Sequence, residues 1–216
     1  MITLTAINAL ACILLALWAG FALGRYRTYI FQNRSEAVVA REVLRAFCPP
    51  DYHLMNHVTL PFKEGTTQID HILVSRFGVF VIETKEYKGW IFANPKHSTW
   101  TQVLFKNKFK FQNPLYQNQL HMRAVSDLLD FLPSGAVKSA VIFSGAPEFK
   151  TPRPYGVFSL REFIEHVREH STEVLSHNRV QFVVGRLETF RLAVTRTTDI
   201  EHVQRLNRRN GSSGFG

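Results

Sequence analysis

Cysteine is scarce in this chain, with two in 216 residues. That excludes a disulfide-stapled secreted scaffold and any four-cysteine zinc site. No segment recurs at a fixed period, which excludes a solenoid. Charged side chains are missing from Met1 to Gly24, and acidic ones from Tyr87 to Ser126. The charge that is present is lopsided: 26 Lys and Arg against 17 Asp and Glu, a net +9. A composition of 45% hydrophobic and 20% charged residues is too apolar and too mixed for wholesale disorder. The length suits one domain with an appendage. The positive excess points to a polyanion, either nucleic acid or the anionic face of a membrane.

The uncharged start has a meaning of its own. Ile2 to Leu23 reads ITLTAINALACILLALWAGFAL, and its polar side chains (Thr3, Thr5, Asn8) all lie in the first third. As a helix it is roughly 33 Å long, enough to cross the hydrocarbon core. Arg25, Tyr26 and Arg27 follow as an interfacial anchor. A cleaved signal peptide would need basic residues before a shorter apolar run, and none precedes this one. The expectation is a transmembrane anchor over 1–24, with the positive-inside rule leaving the remainder in the cytoplasm. Cys12 then lies in lipid and Cys48 outside it, so the two do not pair.

After a basic juxtamembrane linker over 25–34, Ser35 reads as the N-cap of a helix that Cys48-Pro49-Pro50 ends. Strands are predicted over Tyr52–Leu60, Thr67–Ser75 and Val79–Tyr87, then shorter ones over Gly89–Phe92 and Trp100–Phe105. A helix follows from Pro114 to about Phe131, its buried side drawn from Leu115, Leu120, Val125, Leu128 and Leu129. Lys138–Phe143 reads as a buried strand and Gly156–Phe158 as another, with Ser159 capping a further helix. Helical patterns over Val180–Val194 and Asp199–Asn207 close the domain, and 208–216 reads as a flexible tail. The domain thus spans 35–207, with a core over about 35–145 and a helical part over 155–207. The fold class is α/β, a mixed sheet flanked by helices.

The stretch QIDHILVSRFGVFVIETK carries the chemistry. With a two-residue turn at Phe77-Gly78, Asp70 faces Lys85 and Glu83 lies one diagonal step away. The period of two puts all three on one face. A one-residue slip would split the set. Two carboxylates beside a lysine suit Mg²⁺ or Mn²⁺ at a phosphodiester. Lysine there orients water or stabilises the transition state, and the Thr84 carbonyl is an added ligand candidate. The plainer reading is a structural cross-strand Asp–Lys pair with Glu83 solvated. Against it, these charges interrupt runs of Ile, Val and Phe, where ionised groups are costly unless paired or metal-bound.

QIDHILVSRFGVFVIETKEYKG, followed by NPLYQNQLH, resembles the nuclease-related domain, called NERD, of the PD-(D/E)xK restriction-endonuclease-like superfamily. The resemblance covers roughly Ser35 to Phe143. Ile69 stands where the superfamily's proline would be. The resemblance implies a restriction-endonuclease-like fold, with Asp70 and Glu83 as metal ligands and Lys85 as the catalytic lysine. It also matches Glu36 to an acidic residue many members carry near the metal; its alternative role is an acid complementing a helix N-terminus. Gln117 and His121 share a helix face that the resemblance sets against the hairpin, where Gln117 would hold a phosphate or order water. Both also read as surface polar residues. His71 alternates to the other face and reads as structural.

The acid-free stretch holds Lys88, Lys96, Lys106, Lys108, Lys110 and Arg123 among aromatic residues. Lys106, Lys108 and Lys110 alternate, so as an extended segment they point one way. With Lys88, Arg123 and His121 they are candidates to track a phosphate backbone, while the aromatics read mostly as core. The expectation is a membrane-anchored, metal-dependent nuclease acting on DNA. The alternatives are a non-catalytic nucleic-acid-binding or scaffold module on the same fold, and an adaptor for anionic lipid using Arg25, Arg27 and Arg34. No helicase segment fits in this length, so unwinding would come from a partner such as a helicase or another DNA-processing protein.

Overall fold

The computed structural model describes residues 4–192; within the first helix, side chains are described at 12–20 and from 34 onward. The expected helix over Asp199–Asn207, the end of Val180–Val194 and the tail over 208–216 lie outside the described residues.

Helix α1 runs unbroken from Leu4 to Ala46. The expected linker over 25–34 is therefore helical, and Ser35 lies inside the helix rather than capping it. Ser35 is tolerated there because its hydroxyl bonds the Ser144 hydroxyl at 2.5 Å, instead of competing for its own backbone. The helix stops where Pro49 and Pro50 cannot continue it. Among the described residues, no helix is long and apolar enough to cross a membrane.

Two sheets follow. Strands β1 (Tyr52–Phe62), β2 (Gly65–Ser75), β3 (Gly78–Lys85), β7 (Val137–Phe143) and β9 (Val157–Ser159) form a five-stranded sheet in the order β1-β2-β3-β7-β9. The first two pairings are antiparallel and the last two parallel, so the sheet is mixed as expected. Strands β4 (Trp90–Phe92), β5 (Thr99–Leu104), β6 (Asn107–Gln112) and β8 (Glu148–Phe149) make a second sheet, ordered β6-β5-β4-β8. Its strands β4 to β6 are inserted between β3 and α2 (Pro114–Leu128), and β8 joins them after β7. Helices α3 (Leu160–Glu169) and α4 (His177–Phe190) complete the described chain.

The period of two sorts the core. Ile72, Val74, Val79 and Val81 face one way and pack with Val125 and Leu129 near α2 and with Val180, Val183 and Leu187 of α4. Leu73, Phe80 and Ile82 face the other way, under Val39 and Val43 of α1 and Phe163 and Val167 of α3. The β2–β3 hairpin is thus covered on both faces, so ionised groups in it require partners.

Candidate functional site

The hairpin turns one residue earlier than its sequence predicts. Ser75 pairs with Gly78 across Arg76-Phe77, and the ladder continues to His71–Ile82. The next step brings Asp70 opposite Glu83, not Lys85. Gly78 explains the shift: its φ of 138° lies where side chains are strained, and a Cβ would stand 2.8 Å from the Ala136 carbonyl oxygen. Both registers preserve parity, so Asp70, Glu83 and Lys85 still share the face beneath α2.

Glu83 is the centre of a buried network. One of its oxygens lies 2.6 Å from Lys85 Nζ, the other 3.1 Å from His121 Nε2. His121 Nδ1 is 2.6 Å from the Thr67 hydroxyl. Lys85 also donates to Gln117 Oε1 at 3.0 Å. Asp70 Oδ2 accepts the Thr84 amide at 2.7 Å. Asn118 fixes the helix, donating to the Val81 and Ala140 carbonyls at 2.9 and 3.1 Å. Polar side chains therefore line the part of α2 over the site, beside the expected apolar side, on which Val125 and Leu129 are buried and Leu115 and Leu128 pack against the core.

Environment separates the two carboxyls. Burial, with Glu83 and then Glu36 beside it, raises Asp70 well above the usual carboxylate range. Burial also pushes Glu83 up, but Lys85 and His121 outweigh it and hold Glu83 below its ordinary value. Lys85 is raised: burial opposes its charge, and Glu83 more than compensates.

Glu36 lies mid-helix, so its helix-terminus role is excluded. It is buried, with Oε2 3.4 Å from His57 Nδ1. His57 takes a φ of 51°, interrupting the β1–β2 ladder opposite Asp70. With Asn56, His71, Arg41 and Arg45, Glu36 and His57 line a cavity of about 570 Å³. His71 is structural as expected: it meets Asn56 Oδ1 at 2.8 Å, and burial first, then His57, lowers its pKa to about 4.

Of the nucleic-acid candidates, one joins the buried network and the others lie at the surface. His121 is buried against Glu83 rather than offered to a polyanion. Lys88, Lys106, Lys108, Lys110 and Arg123 are exposed. Lys106 falls in the turn before β6, so only Lys108 and Lys110 share a strand face. Of the aromatics, Trp100 is buried, but Trp90, Phe92 and Phe109 are at least 40% exposed. Sequence reasoning missed Thr67 and Asn118; a small polar residue on a strand and an asparagine in a helix carry no signal until the helix is docked.

The donor chemistry suits a hard divalent cation. Two carboxylates project from neighbouring strands, and burial with Glu83 beside it makes ionising Asp70 costly, a cost that a cation between the two would relieve. Among the described residues, no group of three or more His, Cys, Asp or Glu is arranged to hold a metal ion. Asp70 and Glu83 are the two side chains best placed to hold one, and Mg²⁺ often takes one or two carboxylates while phosphate or water completes its shell.

The architecture defines an α/β protein whose central hairpin buries an acidic pair and a lysine. A family model for the nuclease-related domain matches residues 32–144, and the chain belongs to that family. It is also 42% identical over 101 residues to an uncharacterized protein of Bacillus anthracis, covering 46% of this chain. The chain spans about half (48%) of that relative's length. No solved structure matches the chain.

Proposed function

We propose that this chain is a metal-dependent nuclease of PD-(D/E)xK type, hydrolysing phosphodiester bonds in DNA and held to a membrane by its N-terminal helix. The observation that carries the reading is Asp70 opposite Glu83 on a doubly covered hairpin, with Lys85 2.6 Å from Glu83. Asp70 and Glu83 would hold Mg²⁺ or Mn²⁺, with the Thr84 carbonyl and Glu36 as further candidate ligands. Such an ion polarises the scissile phosphate and acidifies a water. Lys85 supplies positive charge where the pentacovalent transition state develops negative charge. Gln117 fixes the direction of that ammonium, and His121 with Thr67 holds the Glu83 carboxylate in orientation. Lys88, Lys106, Lys108, Lys110 and Arg123 would attract the phosphate backbone.

Membrane attachment is supported by the uncharged first part of α1, before Arg25. Ile13, Leu14, Leu15, Leu17 and Trp18 are each 57% exposed or more. Apolar side chains on all sides of a helix suit lipid rather than water. The basic flank would then put the domain in the cytoplasm, where a helicase or another DNA-processing protein would supply any unwinding.

The test is cleavage of plasmid and linear DNA by the full-length chain with Mg²⁺ or Mn²⁺ against chelator. Cleavage that needs metal and disappears in Glu83→Ala and Lys85→Ala is expected; equal activity in either variant sinks the assignment. A non-catalytic nucleic-acid-binding module is favoured by one observation: Lys85 and His121 already occupy both Glu83 oxygens. It predicts salt-sensitive DNA binding without turnover.

A further inference from the structure

The second sheet has two unlike faces. Ile91, Trp100 and Phe111 face inward, packing with Val141, Phe143 and Tyr87 against the main sheet. The outer face is built in two cross-strand rows. Trp90 pairs with Val103, which pairs with Lys108; Phe92 pairs with Thr101, which pairs with Lys110. Each row therefore places an aromatic ring on β4, a smaller side chain on β5 and a lysine on β6. Trp90 is 47% and Phe92 40% exposed, although both are large apolar groups. On the far side of β4, Lys150 sits with its ammonium 4.6 Å from the Trp90 ring centroid. Three lysines thus flank the rings against one acid, Glu148, which is ion-paired to Lys150.

We infer that this outer face binds single-stranded nucleic acid, with bases stacking on Trp90 and Phe92 and the backbone running along Lys108 and Lys110. The inference rests on the reading of the chain as a nucleic-acid enzyme and adds its substrate class. The two rings repeat at about 6.8 Å, two residues of a strand, a step that an extended, unstacked nucleotide backbone spans. The lysines stand two strands away, about 9.6 Å, across the width separating a base from its phosphate. Bare base faces are available only in single strands; in a duplex neighbouring pairs cover them, so the rings would have nothing to stack on. The face is also close to the chemistry. Trp90 lies five residues on from Lys85, at most about 18 Å of chain, so a strand stacked here reaches the acidic pair within a few nucleotides.

The experiment titrates the full-length chain, in detergent and chelator, with a fluorescent oligothymidylate and with a duplex of equal length. Expected are tighter binding to the single strand, quenching of tryptophan emission, and an affinity that falls as salt rises. Trp90→Ala and Phe92→Ala should each weaken single-strand binding about fivefold to a hundredfold, while Trp90→Phe, which keeps a ring, should retain it and lose most of the quenching. Lys108→Glu with Lys110→Glu provides a second variant that leaves the rings in place, with circular dichroism reporting the fold of each protein. Equal affinity for duplex, or no effect of either ring, overturns the inference. So does an emission change produced by phosphatidylserine vesicles but not by the oligonucleotide, which would make this a lipid-facing surface. Metal is then added to the same samples. Cleavage with no dependence on Trp90 or Phe92 refutes the stacking face and leaves the nuclease intact; stacking without metal-dependent cleavage does the reverse.

Discussion

At the scale of single residues, Glu83 shows how a buried charge is made tolerable. Its solvation is replaced by an ammonium, an imidazole and, beyond that, the Thr67 hydroxyl. Removing the imidazole leaves both Glu83 and Thr67 short of a partner. His121→Ala should therefore lower stability by about 1–3 kcal/mol, read by denaturant unfolding. Gln117→Ala should differ in kind. Gln117 is only half-buried and touches Lys85, so its loss should reduce metal-dependent cleavage about tenfold to a hundredfold with little change in unfolding. Equal stability losses in the two variants would mean that Gln117 only supports the fold. The triple of Asp70, Glu83 and Lys85 was legible in the sequence because strand parity survives any even shift of register. Which residue faces which was not, because the turn position depended on Gly78 approaching Ala136, a neighbour distant in sequence. The role of His121 was hidden too, since a helical sequence does not reveal which polar face will be buried.

At the scale of elements, two short segments carry constraints that can be tested. Helix α3 begins with a reciprocal cap in which Ser159 and Glu162 satisfy each other's backbone amides. Arg153 adds two hydrogen bonds at 2.7 Å to the Glu162 carboxylate. Arg153 first, then the Ser159 amide, lowers the Glu162 pKa from 4.5 to about 2. A carboxyl lowered in the folded state binds fewer protons there than in the unfolded chain. Its stabilisation is thus present above pH 4.5 and is lost as pH falls toward about 2. Comparing Glu162→Gln with the native chain by thermal unfolding should show an advantage for the native chain at neutral pH that shrinks across that window. An advantage independent of pH would assign the effect to the cap geometry alone. The second segment is the turn at Gly145, where a Cβ would stand 2.1 Å from the Tyr87 carbonyl oxygen. Gly145→Ala must push apart the chain leaving β3 and the chain leaving β7, costing about 1–3 kcal/mol and lowering the unfolding midpoint. Element order was largely legible in the sequence, because apolar alternation marked the strands and the serine cap marked α3. The continuity of α1 was not: Ser35 and Glu36 imitate a helix start, and only the Ser144 hydroxyl, more than a hundred residues away in sequence, shows why the serine sits inside one.

At the scale of the whole molecule, the positive excess and the apolar helix occupy different places. The acid-free stretch folds largely into the second sheet and the α2 face, whereas the uncharged residues lie in the first half of α1. The second half of that helix belongs to the domain, since Val39 and Val43 are fully buried against Leu73, Phe80 and Ile82. Because α1 is continuous, Gly24 and Glu36 are joined by about 18 Å of helix rather than by a slack tether. Deleting residues 1–24 removes none of the described core contacts, which begin at Ser35. The shortened chain should therefore unfold at the same temperature as the full chain, while moving from the membrane pellet to the supernatant in a high-salt wash. Salt separates the two attachments the composition allows. Lipid insertion of an uncharged helix is indifferent to ionic strength, whereas attraction of Arg25, Arg27 and Arg34 to anionic headgroups is screened over about 8–10 Å at physiological salt. Retention of the shortened chain in the pellet at low salt and its release at high salt would assign attachment to the arginines. Release of the full chain under the same wash would refute the anchor.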